Sequence, residues 1–144
     1  MTGTTDYISR QSVFIRAPPA RVWKALTDPA LIKQYLFGTD VESDWKVGSP
    51  IRYRGVWQGR TYEDKGVITR LIPEKVLEST YWSGMSGLSD LPKNYKNVRY
   101  ELEPVQDGTM LSVTQDNNAT EEERDHSGQN WKVVLGMLKG LLEK

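Results

Sequence analysis

Five tryptophans and seven tyrosines stand against only two phenylalanines. Each indole or phenol carries a large apolar ring and one polar group that a sealed core struggles to satisfy. Tyr53, Trp57, Tyr81 and Tyr100 fall on stretches that alternate as strands do, and Trp131 falls on a stretch with helical spacing. Several hydroxyl and indole N–H groups meeting in one interior want a polar or wet partner, so this cluster either fills a core or walls a pocket for an apolar small molecule. Tyr35, Val113 and Leu135 join the same candidate wall, although packing alone accounts for Leu135 and Leu138. Gln115 shares the parity of Leu111 and Val113 and is expected to point inward. A buried amide without partners costs roughly 1–3 kcal/mol, which makes Gln115 a candidate anchor for a ligand carbonyl or hydroxyl.

Catalytic and metal chemistry find little support in the same residues. There is no cysteine, which removes disulfides, thiolate metal sites and a cysteine nucleophile together, and there is one histidine. That histidine, His126, lies about opposite the leucine stripe of its segment, so it is expected to be exposed rather than a buried general base. The run "EEERD" at 121–125 opens a helix, where acids complement the dipole and are usually solvated. Arg124 and Ser127 fall near the inner edge of that helix, Arg124 most simply as a solvated residue. No glycine-rich phosphate loop, Ser-His-Asp order or pair of inward carboxylates is visible. The expectation is therefore no catalytic residue, no metal and no cofactor.

Nineteen basic residues balance nineteen acidic ones, so no global field recruits nucleic acid or acidic lipid. No apolar run is long enough to span a bilayer, and the N-terminus lacks the basic and apolar regions of a signal peptide. These features predict a cytoplasmic protein with one domain over 1–144, in which residues 1–7 form a disordered N-terminus.

The elements that must hold the aromatic cluster follow from periodicity. A strand over 12–17 runs into Pro18-Pro19, and a helix of barely two turns, carrying Val22, Trp23 and Leu26, closes at Asp28-Pro29. A second short helix is predicted over 30–36. Strands are predicted at 41–45, 51–57, 62–72, 76–82, 98–104 and 109–117, joined by connections short enough for an antiparallel meander. The polar, glycine-rich stretch 83–94 is either a mobile loop or a lid. Thr120 with Glu123 forms a capping box for a long helix to about Leu142, whose Trp131, Val134, Leu135, Leu138, Leu141 and Leu142 repeat at three and four residues. Gly128, Gly136 and Gly140 lie inside it at a cost of about 1 kcal/mol each. With Val133 and Met137, the last two form a mildly apolar outer patch, a candidate surface for a weak homodimer.

The order strand, two short helices, meander and long helix describes an α+β fold, a curved antiparallel sheet of six or seven strands around a C-terminal helix. The stretches "APPARVWKALTDPALIKQYL", "VGSPIRYRG", "KGVITRLIPEKVLESTYW", "DGTMLSVTQ" and "GQNWKVVLGMLKGLLEK" resemble the activator of heat-shock-protein-90 ATPase homologue family, a branch of the START-like (SRPBCC) helix-grip superfamily. Tyr35 stands where that family often has tryptophan, and Gln115 where it often has histidine. The resemblance implies a cavity between helix and sheet. Three functions fit it: a binding protein for a hydrophobic small molecule, aromatic, polyketide-like or lipid-like; an enzyme of the cyclase or aromatase kind; and a co-chaperone-like interaction module.

Overall fold

The computed structural model describes residues 7–144, the side chain of Trp57 excepted. The expected disorder at the N-terminus concerns 1–6, outside the described residues, whereas Tyr7 already opens the first strand. The elements are β1 (Tyr7–Ile15), α1 (Pro19–Thr27), α2 (Pro29–Tyr35), β2 (Asp40–Ser43), β3 (Pro50–Trp57), β4 (Arg60–Ile72), β5 (Val76–Ser83), a 3₁₀ turn (Pro92–Asn94), β6 (Lys96–Val105), β7 (Gly108–Asn118) and α3 (Glu121–Leu142). The strands form one antiparallel sheet in the order β1-β7-β6-β5-β4-β3-β2. It is a meander from β2 to β7, with β1 added beside β7.

Most boundaries agree with the sequence expectation within two residues, and the departures have local causes. β1 begins at Tyr7 rather than at 12 because β7 is long enough to pair with it as far as Asn118. β2 stops at Ser43 rather than continuing to 45, and Trp45 takes φ 57°, which no strand accommodates. Between β3 and β4, Gln58 (φ 50°) and Gly59 (φ 79°) both take positive φ, the geometry of a two-residue hairpin that matches strand twist.

The short helices close one end of the barrel-like sheet. Pro19 opens α1 and the Asp28 side chain caps α2 by accepting from the Ala30 N–H at 2.9 Å. Their buried residues, Val22, Ala25, Leu26 and Ile32, meet Ile15, Leu102 and Leu111 from the sheet and Leu135, Leu138 and Leu142 from α3. Side chains of this size each contribute about 1.5–3 kcal/mol on full burial, so this cluster is the main store of stability. The end is also stitched by polar contacts. The Tyr35 hydroxyl donates to the Ala25 carbonyl at 2.8 Å, Thr109 Oγ1 donates to the Ala17 carbonyl at 2.8 Å, and Arg21 donates to the Leu142 carbonyl at 3.1 Å.

α3 begins as the capping box requires, with Thr120 Oγ1 accepting from the Glu123 N–H at 3.0 Å. The return arm differs from the expected one, because the Glu123 carboxyl accepts from the Ala119 N–H at 3.0 Å and from Lys96 Nζ at 2.7 Å. The glycines of α3 have two different explanations. Gly128 faces β1, where a Cβ would meet the Gln11 side-chain amide at 3.1 Å, whereas Gly136 and Gly140 face open space.

Candidate functional site

Away from the closed end, the N-terminal half of α3 and the sheet enclose a cavity of about 550 Å³. Its floor comes from alternating positions of consecutive strands. Tyr53 on β3 pairs with Asp64 on β4, Tyr81 on β5 lies beside them, and Tyr100 on β6 continues the row. Period-two alternation puts these side chains on one face. Its roof is α3, through Ser127, Trp131 and Val134, with Glu123, His126 and Asn130 at the exposed edge. Leu36, Phe37 and Thr39 after α2, Tyr62 on β4, and Met85 after β5 complete the sides.

The rings are set edge to face. Tyr53 and Tyr81 are 5.8 Å apart at 69°, and Tyr100 and Trp131 are 5.8 Å apart at 90°. Such pairs are worth about 0.5–1.5 kcal/mol beyond the area they bury. The Tyr81 hydroxyl donates to Asp64 Oδ2. Thr39 and Tyr62 share a hydroxyl hydrogen bond at 2.5 Å. Part of the surface of Tyr53, Tyr81 and Tyr100 faces the cavity, yet protein encloses them. Burial pushes all three phenols well above the ordinary tyrosine value, and the neighbouring Asp64 raises Tyr81 further.

A second network runs along the side of the cavity nearest β1. The Trp131 indole N–H donates to Gln115 Oε1 at 2.9 Å, Gln115 Nε2 donates to Asn118 Oδ1 at 3.4 Å, and Asn118 Nδ2 donates to the Tyr7 carbonyl at 2.8 Å. Ser9 and Ser127 share a hydrogen bond at 3.2 Å. At the rim, burial pushes the Glu123 carboxyl up, but hydrogen bonds from Lys96 and the Ala119 N–H outweigh it and hold the group below its usual value.

Of the residues singled out in the sequence, the structure brings Tyr53, Tyr81, Tyr100, Gln115 and Trp131 to the cavity wall. Gln115 does point inward, but its amide is engaged by Trp131 and Asn118. Val113 and Leu135, 1% and 2% exposed, are sealed behind the wall in the core. Tyr35 is buried too, beside a separate space of about 30 Å³ between α2 and the sheet. Trp57 ends β3, and its side chain lies outside the described residues. His126 is exposed as its helical position implies, yet it sits at the rim of the cavity.

The sequence shows no pair of inward carboxylates; the structure turns one carboxyl inward at Asp64, which is 8% exposed and lines the cavity. The signal was present in the sequence: Asp64, Gly66 and Ile68 alternate, and the buried Ile68 fixes the parity of the others. The loop after β5 is tied down in several places. Tyr95 donates to Asp90 at 2.6 Å, Lys65 pairs with Asp90 at 2.6 Å, and Trp82 donates to the Leu88 carbonyl at 3.2 Å. Among the described residues no group of three His, Cys, Asp or Glu side chains is placed to hold a metal ion, and no helix is long and apolar enough to cross a membrane.

The profile of the family described as "Activator of Hsp90 ATPase homolog 1-like protein" matches residues 16–143. The solution structure of ChR145 from Cytophaga hutchinsonii is 44% identical, with a TM-score of 0.84 over 95% of this chain and 94% of that one. The solution structure of the Aha1 dimer from Colwellia psychrerythraea is 23% identical, with a TM-score of 0.73 over 95% of this chain and 96% of that one. DynU16, a putative protein in the dynemicin biosynthetic locus, is 21% identical with a TM-score of 0.79, over 95% of this chain and 47% of that one. The last two likenesses are of fold. Among curated proteins none matches.

Proposed function

The chain belongs to the Activator of Hsp90 ATPase homolog 1-like family, with the helix-grip fold of the START-like superfamily, and we propose that it is a cytoplasmic binding protein for a hydrophobic small molecule. The observation that carries this reading is the cavity of about 550 Å³, which is walled by Tyr53, Tyr81, Tyr100 and Trp131, rings that also pack against the aliphatic core. The volume is that of a typical small-ligand site. Aromatic walls give apolar contact to a flat or chain-like ligand, and the polar groups set among them give it orientation. DynU16, which shares the fold, lies in a biosynthetic locus, and this supports an aromatic or polyketide-like ligand.

The test is a panel of flavonoids, fatty acids and polyketide-like aromatics. A ligand entering beside Trp131 is expected to change tryptophan fluorescence saturably and to raise the melting temperature with the same affinity. Binding to the folded state alone adds about 2.7 kcal/mol when ligand is a hundredfold above its dissociation constant. A panel that gives neither signal overturns the reading and moves the co-chaperone-like interaction module to first place.

One observation favours a second reading, an enzyme of the same fold. Asp64 and the Tyr81 hydroxyl that donates to it place a proton-handling pair inside the cavity. Turnover of a bound aromatic, lost in Tyr81→Phe, is the result that selects it. A weak homodimer through the exposed Val133 and Met137 is proposed beside either reading, supported by the dimer formed by the Colwellia relative.

A further inference from the structure

Among the described residues, Asp64 is the one acidic side chain buried in the cavity wall, and half of its carboxyl is unaccounted for. Oδ2 accepts from Tyr81, whereas Oδ1 is buried without a hydrogen-bond partner among the described residues. Asp64 takes part in none of the ion pairs among those residues, and the next residue, Lys65, is committed to Asp90. A buried carboxyl oxygen without a partner costs about 1–3 kcal/mol or more, so its retention calls for an explanation.

The rest of the wall has the same bias. The cavity is lined by two acids, Asp64 and Glu123, by His126 at its edge, and by no lysine or arginine among the described residues. Glu123 is neutralised by Lys96 at 2.7 Å. Asp64 is therefore the unpaired acceptor deep in the site, flanked by Tyr53 across the strand pair and by Tyr81.

We infer that Asp64 is the recognition point for a hydrogen-bond donor on the ligand. The cavity takes apolar, preferably aromatic molecules whose inner end carries a hydroxyl or an ammonium group, and it turns away those that end in a carboxylate. A donor that reaches the Asp64 carboxyl from the cavity does so in a site of low polarity, where a charge-assisted hydrogen bond is stronger than in water. A carboxylate brought to the same place meets an acid and finds no basic side chain to offset the repulsion, and that repulsion supplies the discrimination. This specificity deepens, and rests on, the reading of the cavity as a small-molecule site.

The experiment uses four probes of one shape at pH 7: 2-naphthol, 2-naphthylmethylamine, 2-methoxynaphthalene and 2-naphthoate. Each is titrated into the protein and followed by amide chemical shifts and thermal shift, and the series is repeated on Asp64→Asn. The naphthol and the amine are expected to bind at least tenfold more tightly than the methoxy ether, and the naphthoate more weakly still. In Asp64→Asn the amide oxygen keeps the Tyr81 hydroxyl and its NH₂ replaces the free acceptor. The preference for donors is then expected to vanish and naphthoate to gain, while the melting temperature of the free protein holds or rises. Four equal affinities in the unaltered protein overturn the donor inference and leave the pocket standing. A donor preference unchanged in Asp64→Asn overturns it as well, as does a fall in the melting temperature of that variant, which marks Asp64 as a structural anchor. If none of the four probes binds, the inference falls together with the pocket reading.

Discussion

Between Leu135 and Leu142 the terminal helix presents leucines to an aliphatic cluster. Between Glu123 and Trp131 the same helix presents a carboxyl, an imidazole, a hydroxyl, an amide and an indole to a cavity. One continuous helix thus serves two interiors, and the difference lies in what the sheet and the short helices bring to each. At the closed end, α1 and α2 deliver Val22, Leu26 and Ile32, which are at most 4% exposed, beside a space of about 30 Å³. At the other end β3 to β6 offer rings that pair edge to face, Tyr53 with Tyr81 and Tyr100 with Trp131 of the helix, and a cavity stays open between sheet and helix. Stability is concentrated where side chains are aliphatic and interchangeable in chemistry. The proposed ligand specificity belongs where they are not.

The sharpest way to break this comparison is to damage each end and compare the losses. Leu138→Ala, at a residue 1% exposed, is expected to cost about 3–4 kcal/mol in urea unfolding, through lost transfer energy and a residual hole. A loss below about 1 kcal/mol removes the closed end as the stability store. Trp131→Ala removes a larger side chain, but one that is half-buried against Tyr100 and Gln115, so the expected loss is smaller, about 2 kcal/mol. Its larger effect is on ligand-induced fluorescence and affinity. Should it cost as much as Leu138→Ala, the ring is core and the cavity reading weakens.

Alkali sharpens the contrast further. The Tyr53, Tyr81 and Tyr100 phenols, like that of Tyr35, are held above their ordinary value of 10.0, chiefly by burial. The unfolded chain releases these protons near pH 10 while the folded chain keeps them, so stability is intact below pH 10 and falls as pH rises above it. Each such phenol contributes about 1.4 kcal/mol per pH unit to the decline, and Tyr100→Phe is expected to flatten the slope by that amount. A slope unchanged by Tyr100→Phe means that the phenol ionises freely in the folded protein. The smallest effect belongs to the outer face. Met137→Lys, at a residue 40% exposed, is expected to change stability by less than about 0.5 kcal/mol. In sedimentation at high concentration it abolishes the proposed homodimer, and a single monomeric species in the unaltered protein sinks that proposal.

How much of this was legible in the chain follows from the range of each signal. The α3 boundaries, the proline-bounded α1 and the run of hairpins depend on residues a few positions apart, and they were readable because caps, prolines and periodicity act locally. Inward pointing is also a local property, so Tyr53, Tyr81, Tyr100 and Gln115 were identifiable from strand parity, and Asp64 carried the same signal through Ile68. Depth is not local. Whether an inward residue reaches a cavity or stays sealed depends on what α1, α2 and α3 place opposite it: Val113, Leu135, Val98 and Val134 belong to one core cluster, and of these Val98 and Val134 also line the cavity. The partners of polar groups are equally non-local. Gln115 meets Trp131 sixteen residues away, and Oδ1 of Asp64 goes without a partner among the described residues because of where the strands and helices come to rest. The sequence by itself determined the elements, their order and the faces they turn inward, since those follow from backbone geometry and neighbouring side chains. Only the tertiary structure decided that one half of the helix meets a packed core and the other a space with an unpaired acid in its wall, because packing is settled by contacts between segments distant in the chain.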